Sequence, residues 1–304
     1  MLKRDIVIPE RIQLELVFGC NASCIMCPVH IPSQRKKGIM SLDLFKKIVD
    51  EMAQYNETID KFDLWGLGEP LLDKGLYEKI EYAKSKGFRN LAIATNADLL
   101  KEEYQSSLLE SGLDTVIFSI DGNQKATHES IRKGVNFDNV IDNVWSIIEK
   151  RNNGDYKTRF VFRFIRQESN INEWGEYQEF WKGRISPDKG DLIIGYDAHN
   201  WGGEILIPGN SVEKKELAIE KKPCHHVYDR LIVLWDGTIP LCCTDMHHAE
   251  YAVGNVNDAS SIEVFNNEKI SNIREFHMAG KKNNMDICQQ CTILYSEATQ
   301  DIID

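Results

Sequence analysis

Between residues 10 and 196, short runs of β-branched and apolar residues alternate with longer amphipathic segments. The runs predict six strands, over residues 12–18, 62–65, 91–95, 115–120, 159–165 and 191–196. Helix start and stop signals frame most of the segments between them and predict helices over residues 42–52, 76–86, 98–111 and 137–153. This alternation predicts parallel βαβ units, and six units fit an open barrel or a doubly wound sheet, in which ligands gather at the carboxyl ends of the strands.

Beyond about residue 200 the alternation gives way to irregular sequence. One hairpin is predicted there, in DRLIVLWDGTIPLCC, because Asp236 and Gly237 are typical turn residues between two apolar runs. The sequence therefore predicts two domains, residues 1–205 and residues 206–304, with the change of pattern falling between Trp201 and Pro208.

Acidic residues outnumber basic ones by 47 to 36, which gives the 304-residue chain a formal net charge of −11. Such a surface repels nucleic-acid phosphates and anionic lipids, so neither nucleic acid nor a membrane surface is an expected partner. The sequence has no signal-peptide apolar segment and no apolar stretch approaching roughly 18 residues, so we expect a cytoplasmic protein. In that reducing compartment, metal ligation or thiol chemistry is the expected use of the eight cysteines.

Three of the cysteines follow the first predicted strand with the spacing Cys-x3-Cys-x2-Cys: Cys20, Cys24 and Cys27. Three thiolates at this spacing can bind three irons of a [4Fe-4S] cube and leave the fourth iron open. Two other interpretations stay open on spacing alone. A zinc site would need a fourth ligand, for which His30 is the nearby candidate, and the three residues could also be buried thiols without a metal.

A Cys-x3-Cys-x2-Cys motif after the first strand of a six-unit βα domain resembles the radical S-adenosylmethionine (SAM) family. The resemblance covers residues 10–200 and implies a partial (β/α)6 TIM-like barrel, in which SAM chelates the open iron. Met26 stands where the family usually has an aromatic residue, and it offers the adenine an apolar contact.

Further residues resemble family positions one at a time. The turn Gly66-Leu67-Gly68-Glu69-Pro70 is similar to the family's Gly-Gly-Glu-Pro motif beside the SAM ammonium, and Thr95-Asn96 resembles its Thr-Asn-Gly stretch, with Ala97 in place of the glycine. The resemblance also implies that a serine and an arginine hold the SAM carboxylate. The implied SAM-binding residues are Met26, Gly66, Gly68, Glu69, Pro70, Thr95, Asn96, Ser119, Asp121, Arg132 and Asn170.

Alternatives stay open for four residues on or after the fourth and fifth strands: Ser119, Asp121, Arg132 and Arg163. Ser119 and Asp121 could cap a helix, and Arg132 could lie on a solvated face. Arg163 alternates with apolar neighbours, so its side chain points either into the barrel, towards cofactor or substrate, or outwards to solvent. We list Arg163 as a candidate catalytic residue.

A second set of cysteines lies in the C-terminal part: Cys224, Cys242, Cys288 and Cys291. Their spacing suits an iron-sulfur cube or a zinc site equally well. Downstream of a radical SAM domain, this arrangement resembles the SPASM/twitch extension, and of that group the butirosin-pathway inosamine dehydrogenase type. The resemblance implies a small α+β domain with one auxiliary [4Fe-4S] cluster.

Cys243 is left over beside the ligand Cys242. It is either an alternative ligand, a buried thiol or, as in epimerases of the superfamily, a hydrogen-atom donor to a substrate radical, and we list it as a candidate catalytic residue. The histidine pairs at 225/226 and 247/248 flank predicted ligands and are expected to be solvated, with metal ligation as the alternative.

The resemblance implies an enzyme that cleaves SAM reductively and abstracts hydrogen from a small polar substrate, such as a sugar or aminocyclitol alcohol, in a dehydrogenation or an epimerisation. A flavodoxin- or ferredoxin-like electron donor is implied as partner. Two other functions stay open. A peptide-modifying maturase often has a leader-binding domain, for which Cys20 leaves no room, and a zinc-binding interaction module would use only the second cysteines. Expected substrate contacts are Trp65, Arg163, Asp197, His199, Asn200 and Trp201.

Overall fold

An eight-stranded sheet forms the centre of the computed structural model, which describes residues 6–154, 156–207, 222–298 and 300–303. Its strands are β1 Arg11–Leu14, β2 Lys61–Asp63, β3 Leu91–Thr95, β4 Thr115–Ser119, β5 Arg159–Arg166, β6 Leu192–Asp197, β7 Arg230–Val233 and β8 Asp301–Ile303. Their order is β7-β1-β2-β3-β4-β5-β6-β8. All neighbours pair in parallel except β6 and β8, which are antiparallel.

The six predicted strands are confirmed as β1 to β6, with shifts of one or two residues at several bounds and one larger change. The first strand ends at Leu14, and Val17–Phe18 pairs instead with Gly38–Ile39 in a separate antiparallel ladder. Two strands that the sequence did not suggest as part of this sheet, β7 and β8, extend it at its two edges. The edge of a sheet exposes backbone N–H and C=O groups without partners. Here β7 and β8 supply hydrogen-bond partners for the outer edges of β1 and β6.

The helices lie between and after the strands. Their bounds are α1 Leu42–Met52, α2 Leu76–Ser85, α3 Glu102–Glu110, α4 Lys125–Ile131, α5 Phe137–Asn153, α6 Trp174–Lys182, α7 His226–Asp229, α8 Ser261–Phe265, α9 Glu268–Met278, α10 Asp286–Gln289 and α11 Ile293–Ala298. Along the described ranges, no helix combines the length and apolar character that crossing a bilayer requires.

Helix caps explain where the predicted helices agree with the structure. The Ser41 hydroxyl accepts a hydrogen bond from the Leu44 N–H at 3.2 Å, and α1 begins at the expected residue. Helix α3 begins four residues later than predicted. Ala97 takes a φ of 63°, and the Leu100 N–H donates to the Ala97 carbonyl at 3.1 Å, so this stretch forms a turn.

The predicted hairpin around Asp236 and Gly237 forms its turn but divides its arms between two sheets. The Leu234 N–H donates to the Thr238 carbonyl at 2.8 Å, and Gly237 has a φ of +90° that favours glycine. The first arm is β7, which pairs with β1, and the second, Thr238–Ile239, pairs with Gly254–Asn255. The division at residue 205 stays a prediction, and Pro208 lies outside the described residues.

The core lies between the outer face of the sheet and its helices. Phe118 on β4 and Phe162 on β5 pack ring to ring at 5.5 Å, and Phe162 stacks on Trp181 of α6 at 4.2 Å. Burying side chains of this size contributes roughly 1.5–3 kcal/mol each. Because side chains alternate along a strand, the residues between these aromatics face the opposite side of the sheet.

Candidate active site and auxiliary metal site

The inner face of the sheet surrounds a cavity of about 450 Å³. Side chains from each of the six predicted strands line it, so the sheet curves around the cavity as an open barrel. The inward residues are Arg11 and Gln13 on β1, Lys61 on β2, Ala94 and Thr95 on β3, Ile117 and Ser119 on β4, Val161, Arg163 and Ile165 on β5, and Ile194 and Tyr196 on β6.

Cys20, Cys24 and Cys27 all line this cavity, on the loop that follows β1. The loop is held in place by a short antiparallel ladder between Ser23–Cys24 and Arg132–Lys133. Hydrogen-bond donors surround the first sulfur: the Ala22 N–H is 3.4 Å from the Cys20 Sγ, and the Asn96 side-chain amide is 3.8 Å from it. The predicted triad is therefore assembled in one place.

The donor set fits an iron-sulfur cube better than a zinc ion. Burial raises the pKa of the Cys20 and Cys27 thiols to about 12, so thiolates form there only with a strong cationic partner. A single zinc ion draws sulfurs to within about 4 Å of one another, because each Zn–S bond is about 2.3 Å. Among the described residues, no three cysteine sulfurs all lie within 4.8 Å of one another. His30 is exposed, and its ring bonds the Ala22 carbonyl.

Glu69 is a buried carboxylate at the carboxyl ends of β2 and β3. It accepts hydrogen bonds from the Thr95 hydroxyl at 2.7 Å and the Asn96 N–H at 2.9 Å, and burial raises its pKa to about 7. Gly68 brings it there, because the backbone bridges to Gly19 and any Cβ would collide with the Val17 carbonyl. A carboxylate held this firmly beside the three thiols can bind an ammonium group.

Of the other residues in this motif, Gly66 lines the cavity and Pro70 does not. Pro70 is buried and begins a short 3-10 helix, Pro70–Leu72, whose N-terminus is capped by the Glu69 carboxylate accepting from the Leu71 N–H at 3.1 Å. Pro70 therefore fixes the turn that positions Glu69, and its direct contact with SAM stays a prediction.

Arg132 is buried, so the solvated alternative is wrong. Its guanidinium lies 2.7 Å from the Asp121 carboxylate and 3.7 Å from the Cys24 sulfur. Asp121 also accepts from the Ile165 N–H at 2.8 Å, and the Asn170 amide donates to the Asp121 carbonyl at 3.0 Å. Arg132 lines the cavity, whereas Asp121 and Asn170 lie behind it and hold it. Direct SAM contacts by those two residues stay predictions.

Ser119 and Arg163 face each other across β4 and β5. The Arg163 guanidinium donates to the Ser119 hydroxyl at 2.5 Å, and both line the cavity. The outward alternative for Arg163 is therefore wrong, as is a helix-capping role for Ser119. The pair places one guanidinium and one hydroxyl where an anionic group of a ligand could bind.

An apolar wall with one indole covers the cavity near the third cysteine. Met26 is buried and lines it, and the Trp201 indole N–H donates to the Met26 carbonyl at 2.8 Å. Trp65 and His199 also line the cavity, as predicted for substrate contacts.

The remaining two predicted substrate contacts lie elsewhere. Asp197 is 2.9 Å from Arg166, and the Asn200 amide donates to the Gln290 carbonyl at 2.7 Å. Neither lines the cavity. Their contacts connect β6 and the segment after it to the C-terminal residues, so they support the wall.

The second cysteine set lines a separate, smaller cavity of about 50 Å³. Buried neutral donors surround it, including the Thr244 hydroxyl at 3.1 Å from the Cys242 sulfur and the His277 ring at 3.8 Å from the Cys288 sulfur. Burial raises the pKa of Cys242, Cys288 and Cys291 to about 12, so these sulfurs become thiolates only beside a strong cationic partner such as a metal. The four lining cysteines are Cys224, Cys242, Cys288 and Cys291.

Cys243 does not join that set. It is buried and lines the barrel cavity, whereas its neighbour Cys242 lines the smaller one. Adjacent cysteines therefore face two different cavities. Of the interpretations left open for Cys243, this placement favours a role in the barrel cavity over ligation of the second metal.

The histidine pairs contact carboxylates. His225 lies 2.7 Å from Asp229, and His247 and His248 lie 3.0 and 3.3 Å from the two oxygens of Glu204. Burial raises the pKa of Glu204 to about 7. His226 and His247 are both buried, which contradicts the expected solvation for one member of each pair.

Several polar cavity residues were missed in the sequence: Arg11, Gln13, Lys61 and Arg230. The signal in the sequence was the alternation of polar and apolar residues along these strands, because such alternation indicates that one face of the strand is polar.

Two family models match the chain. The radical SAM superfamily model covers residues 14–158, and the SPASM iron-sulfur cluster-binding domain model covers residues 224–292. The chain therefore has a radical SAM domain followed by a SPASM domain. These domains imply SAM, a SAM-binding [4Fe-4S] cluster and an auxiliary cluster, and the two cysteine sets fit that assignment.

Among curated proteins, the chain is 34% identical over 124 residues to the AdoMet-dependent heme synthase of Methanosarcina barkeri (strain Fusaro), which is 41% of this chain and 34% of that protein. The chain spans less than half the length of this protein and of the other curated relatives that it matches most strongly.

Solved structures support the fold. The structure of BtrN in complex with AdoMet and 2-DOIA has a TM-score of 0.63 and 17% identity, with 94% of each chain covered. Streptococcus suis SuiB bound to its precursor peptide SuiA has a TM-score of 0.67 and 14% identity, covering 95% of this chain and 71% of SuiB. The predicted partial barrel with a C-terminal SPASM domain is confirmed, as is the resemblance to the butirosin dehydrogenase.

Proposed function

We propose that the protein is a radical SAM enzyme that epimerises or dehydrogenates a small polar substrate, a sugar or aminocyclitol alcohol. When bound, the first cluster and SAM supply reductive cleavage of SAM to a 5′-deoxyadenosyl radical, which removes a hydrogen atom from substrate. The cavity volume of about 450 Å³ supports a small substrate over a folded or extended peptide.

Residues around the first cysteine set are assigned to binding and orienting SAM. Glu69 faces its ammonium, Ser119 and Arg132 bind its carboxylate, and Met26 packs against its adenine. Asp121 acts as a positioning residue, since it fixes the Arg132 guanidinium at 2.7 Å.

The observation that carries the choice of reaction is the placement of Cys243 in the barrel cavity together with the first cysteine set. We assign to its S–H the return of a hydrogen atom to the substrate radical, from the face opposite to abstraction. The substrate is then epimerised with no net oxidation, and the sulfur-centred radical left on Cys243 takes up one electron and one proton before the next turnover.

Dehydrogenation is the second candidate outcome, and the second cysteine set favours it. Cys224, Cys242, Cys288 and Cys291 would hold the auxiliary cluster, which supplies an acceptor for the electron of an alcohol-derived radical. In that outcome the substrate loses two hydrogens, and Cys243 donates none.

The experiment that separates these outcomes uses anaerobically reconstituted protein, dithionite, SAM and a panel of sugars and cyclitols in D2O. Epimerisation incorporates one solvent deuterium per product molecule, because the Cys243 thiol exchanges with solvent. Dehydrogenation gives a ketone, which has no hydrogen and therefore no deuterium at the reacting carbon. If none of the compounds in the panel raises the formation of 5′-deoxyadenosine, the proposed substrate class is contradicted.

We further propose a cytoplasmic location, because both cysteine sets must stay reduced to bind clusters. A flavodoxin- or ferredoxin-like protein is the proposed electron donor.

A further inference from the structure

Three cationic side chains form a row across the inner face of the sheet. Parallel register places Arg11 on β1 opposite Arg230 on β7 on one side and opposite Lys61 on β2 on the other. Neighbouring strands lie about 4.8 Å apart, so the three side chains leave the sheet side by side. All three line the barrel cavity.

The charge of this cavity is opposite to that of the whole protein. The chain has 47 acidic and 36 basic residues. The cavity lining has five lysines and arginines, which are Arg11, Lys61, Arg132, Arg163 and Arg230, and one carboxylate, Glu69. Such a concentration of one sign in a cleft raises the local concentration of ions of the opposite sign.

Two of the five charges have carboxylate partners. Asp63 pairs with Arg11, and Asp121 pairs with Arg132. Within the described ranges, Lys61, Arg163 and Arg230 form no ion pair of their own, although the charges of Lys61 and Arg230 also act on the buried Asp63. The Nε of Arg230 is buried without a hydrogen-bond acceptor. A half-buried guanidinium with an unsatisfied donor is a binding group for an oxyanion.

The row differs in position from the SAM-binding residues. Arg11, Lys61 and Arg230 are the first residues of their strands, whereas Cys20 and Glu69 follow the carboxyl ends of β1 and β2. Cys243 lines the same cavity as the row. A molecule held by the row would therefore share that cavity with Cys243.

We infer that the row formed by Arg230, Arg11 and Lys61 binds an oxyanion, a carboxylate or a phosphate, carried by the substrate. The inference rests on the proposed function, because it narrows the substrate class of the same cavity to a sugar or cyclitol that carries a carboxylate or a phosphate. Arg11 is held by Asp63, and Lys61 lines the cavity while remaining exposed to solvent.

The test is a calorimetric titration of reconstituted full-length protein, saturated with SAM, with inorganic phosphate in one series and acetate in another. We expect binding that weakens as salt rises, because screening acts on such contacts. Lys61→Gln and Arg230→Gln should each weaken it at least fivefold, while the surface control Arg89→Gln, on a side chain 59% exposed, should leave it unchanged.

The two series separate the sources of the oxyanion. Tighter binding of phosphate assigns a phosphorylated substrate, and tighter binding of acetate assigns a carboxylic acid. Lys61 is exposed, so its variant keeps the test valid if Arg230→Gln fails to fold. Absence of binding in both series, or an equal loss in Arg89→Gln, overturns the inference.

Formation of 5′-deoxyadenosine by the wild-type protein is measured in the same preparation. SAM cleavage without anion binding contradicts this inference alone. Absence of SAM cleavage by iron-replete protein contradicts the proposed function, whatever the titrations give.

Discussion

Arg132 and Asp121 form a buried ion pair, 2.7 Å between Nη2 and Oδ2, directly behind the first cysteine set. The same guanidinium reaches the Cys24 sulfur at 3.7 Å. One arginine thus connects the residues after β4 with a cluster cysteine, and protein contacts at both ends orient it.

Asp121→Asn should destabilise the protein by about 3–5 kcal/mol, because it leaves the Arg132 charge buried without its partner. Anaerobic urea denaturation of reconstituted protein measures the change. Asp138→Asn is the matched control, since Asp138 pairs with Lys125 on the surface, with side chains 64% and 51% exposed. The control should change stability by less than about 1 kcal/mol. Equal effects of the two substitutions would show that the buried pair contributes nothing special.

Glu69→Gln should weaken SAM binding by about 10- to 100-fold, because a hydrogen bond to a charged group is worth about 1.5–3 kcal/mol. Glutamine keeps the size of the side chain but removes the charge that would face the ammonium. Equilibrium binding of SAM to reconstituted protein gives the affinity, and Glu78→Gln, on the surface, is the control. Wild-type affinity in the Glu69 variant would remove this residue from the SAM site.

Cys242→Ser and Cys243→Ser should differ in iron content although the residues are adjacent. The second cavity is lined by Cys242 and the barrel cavity by Cys243. Iron and sulfide analysis should give about eight of each per chain for wild type and Cys243→Ser, and about four for Cys242→Ser. Loss of iron in Cys243→Ser would make Cys243 a ligand instead.

The raised pKa of the Glu15 carboxyl group should make the stability of the protein depend on pH. Burial raises its pKa from 4.5 to about 7, against the opposing charge of Arg35. The folded chain holds this proton more tightly than the unfolded chain, so the contribution of Glu15 to stability is complete below about pH 4.5 and is lost as the pH rises to about 7.

Between pH 5 and 8, the free energy of unfolding of wild type should therefore fall relative to that of Glu15→Gln, by about 1–3 kcal/mol. Urea denaturation at each pH measures this difference, and effects of pH on the clusters cancel between the two proteins. Parallel pH profiles for the two proteins would contradict the raised pKa.

Local patterns explain what was predictable from the sequence. The six strands alternate with helices, and helices such as Phe137–Asn153 have a cap and a stop signal at their ends, so periodicity finds them. The spacing of Cys20, Cys24 and Cys27 is likewise local, because one loop carries all three.

Long-range pairing explains what was not predictable. The alignment of Arg230 with Arg11 joins residues more than 200 positions apart, and nothing in a local pattern sets that register. The separation of Cys242 and Cys243 into two cavities depends on how the turn around residue 237 divides its arms between two sheets. Glu204 meets His247 only after the chain has folded.

The central claim is that the three cysteines after β1 support reductive cleavage of SAM. The most direct test is the formation of 5′-deoxyadenosine from SAM and dithionite under anaerobic conditions, measured by mass spectrometry, for wild type and Cys24→Ala. We predict product from the wild-type protein and none above background from the variant, with the auxiliary iron retained. Equal amounts of product from both proteins, or none from an iron-replete wild-type protein, would contradict the claim.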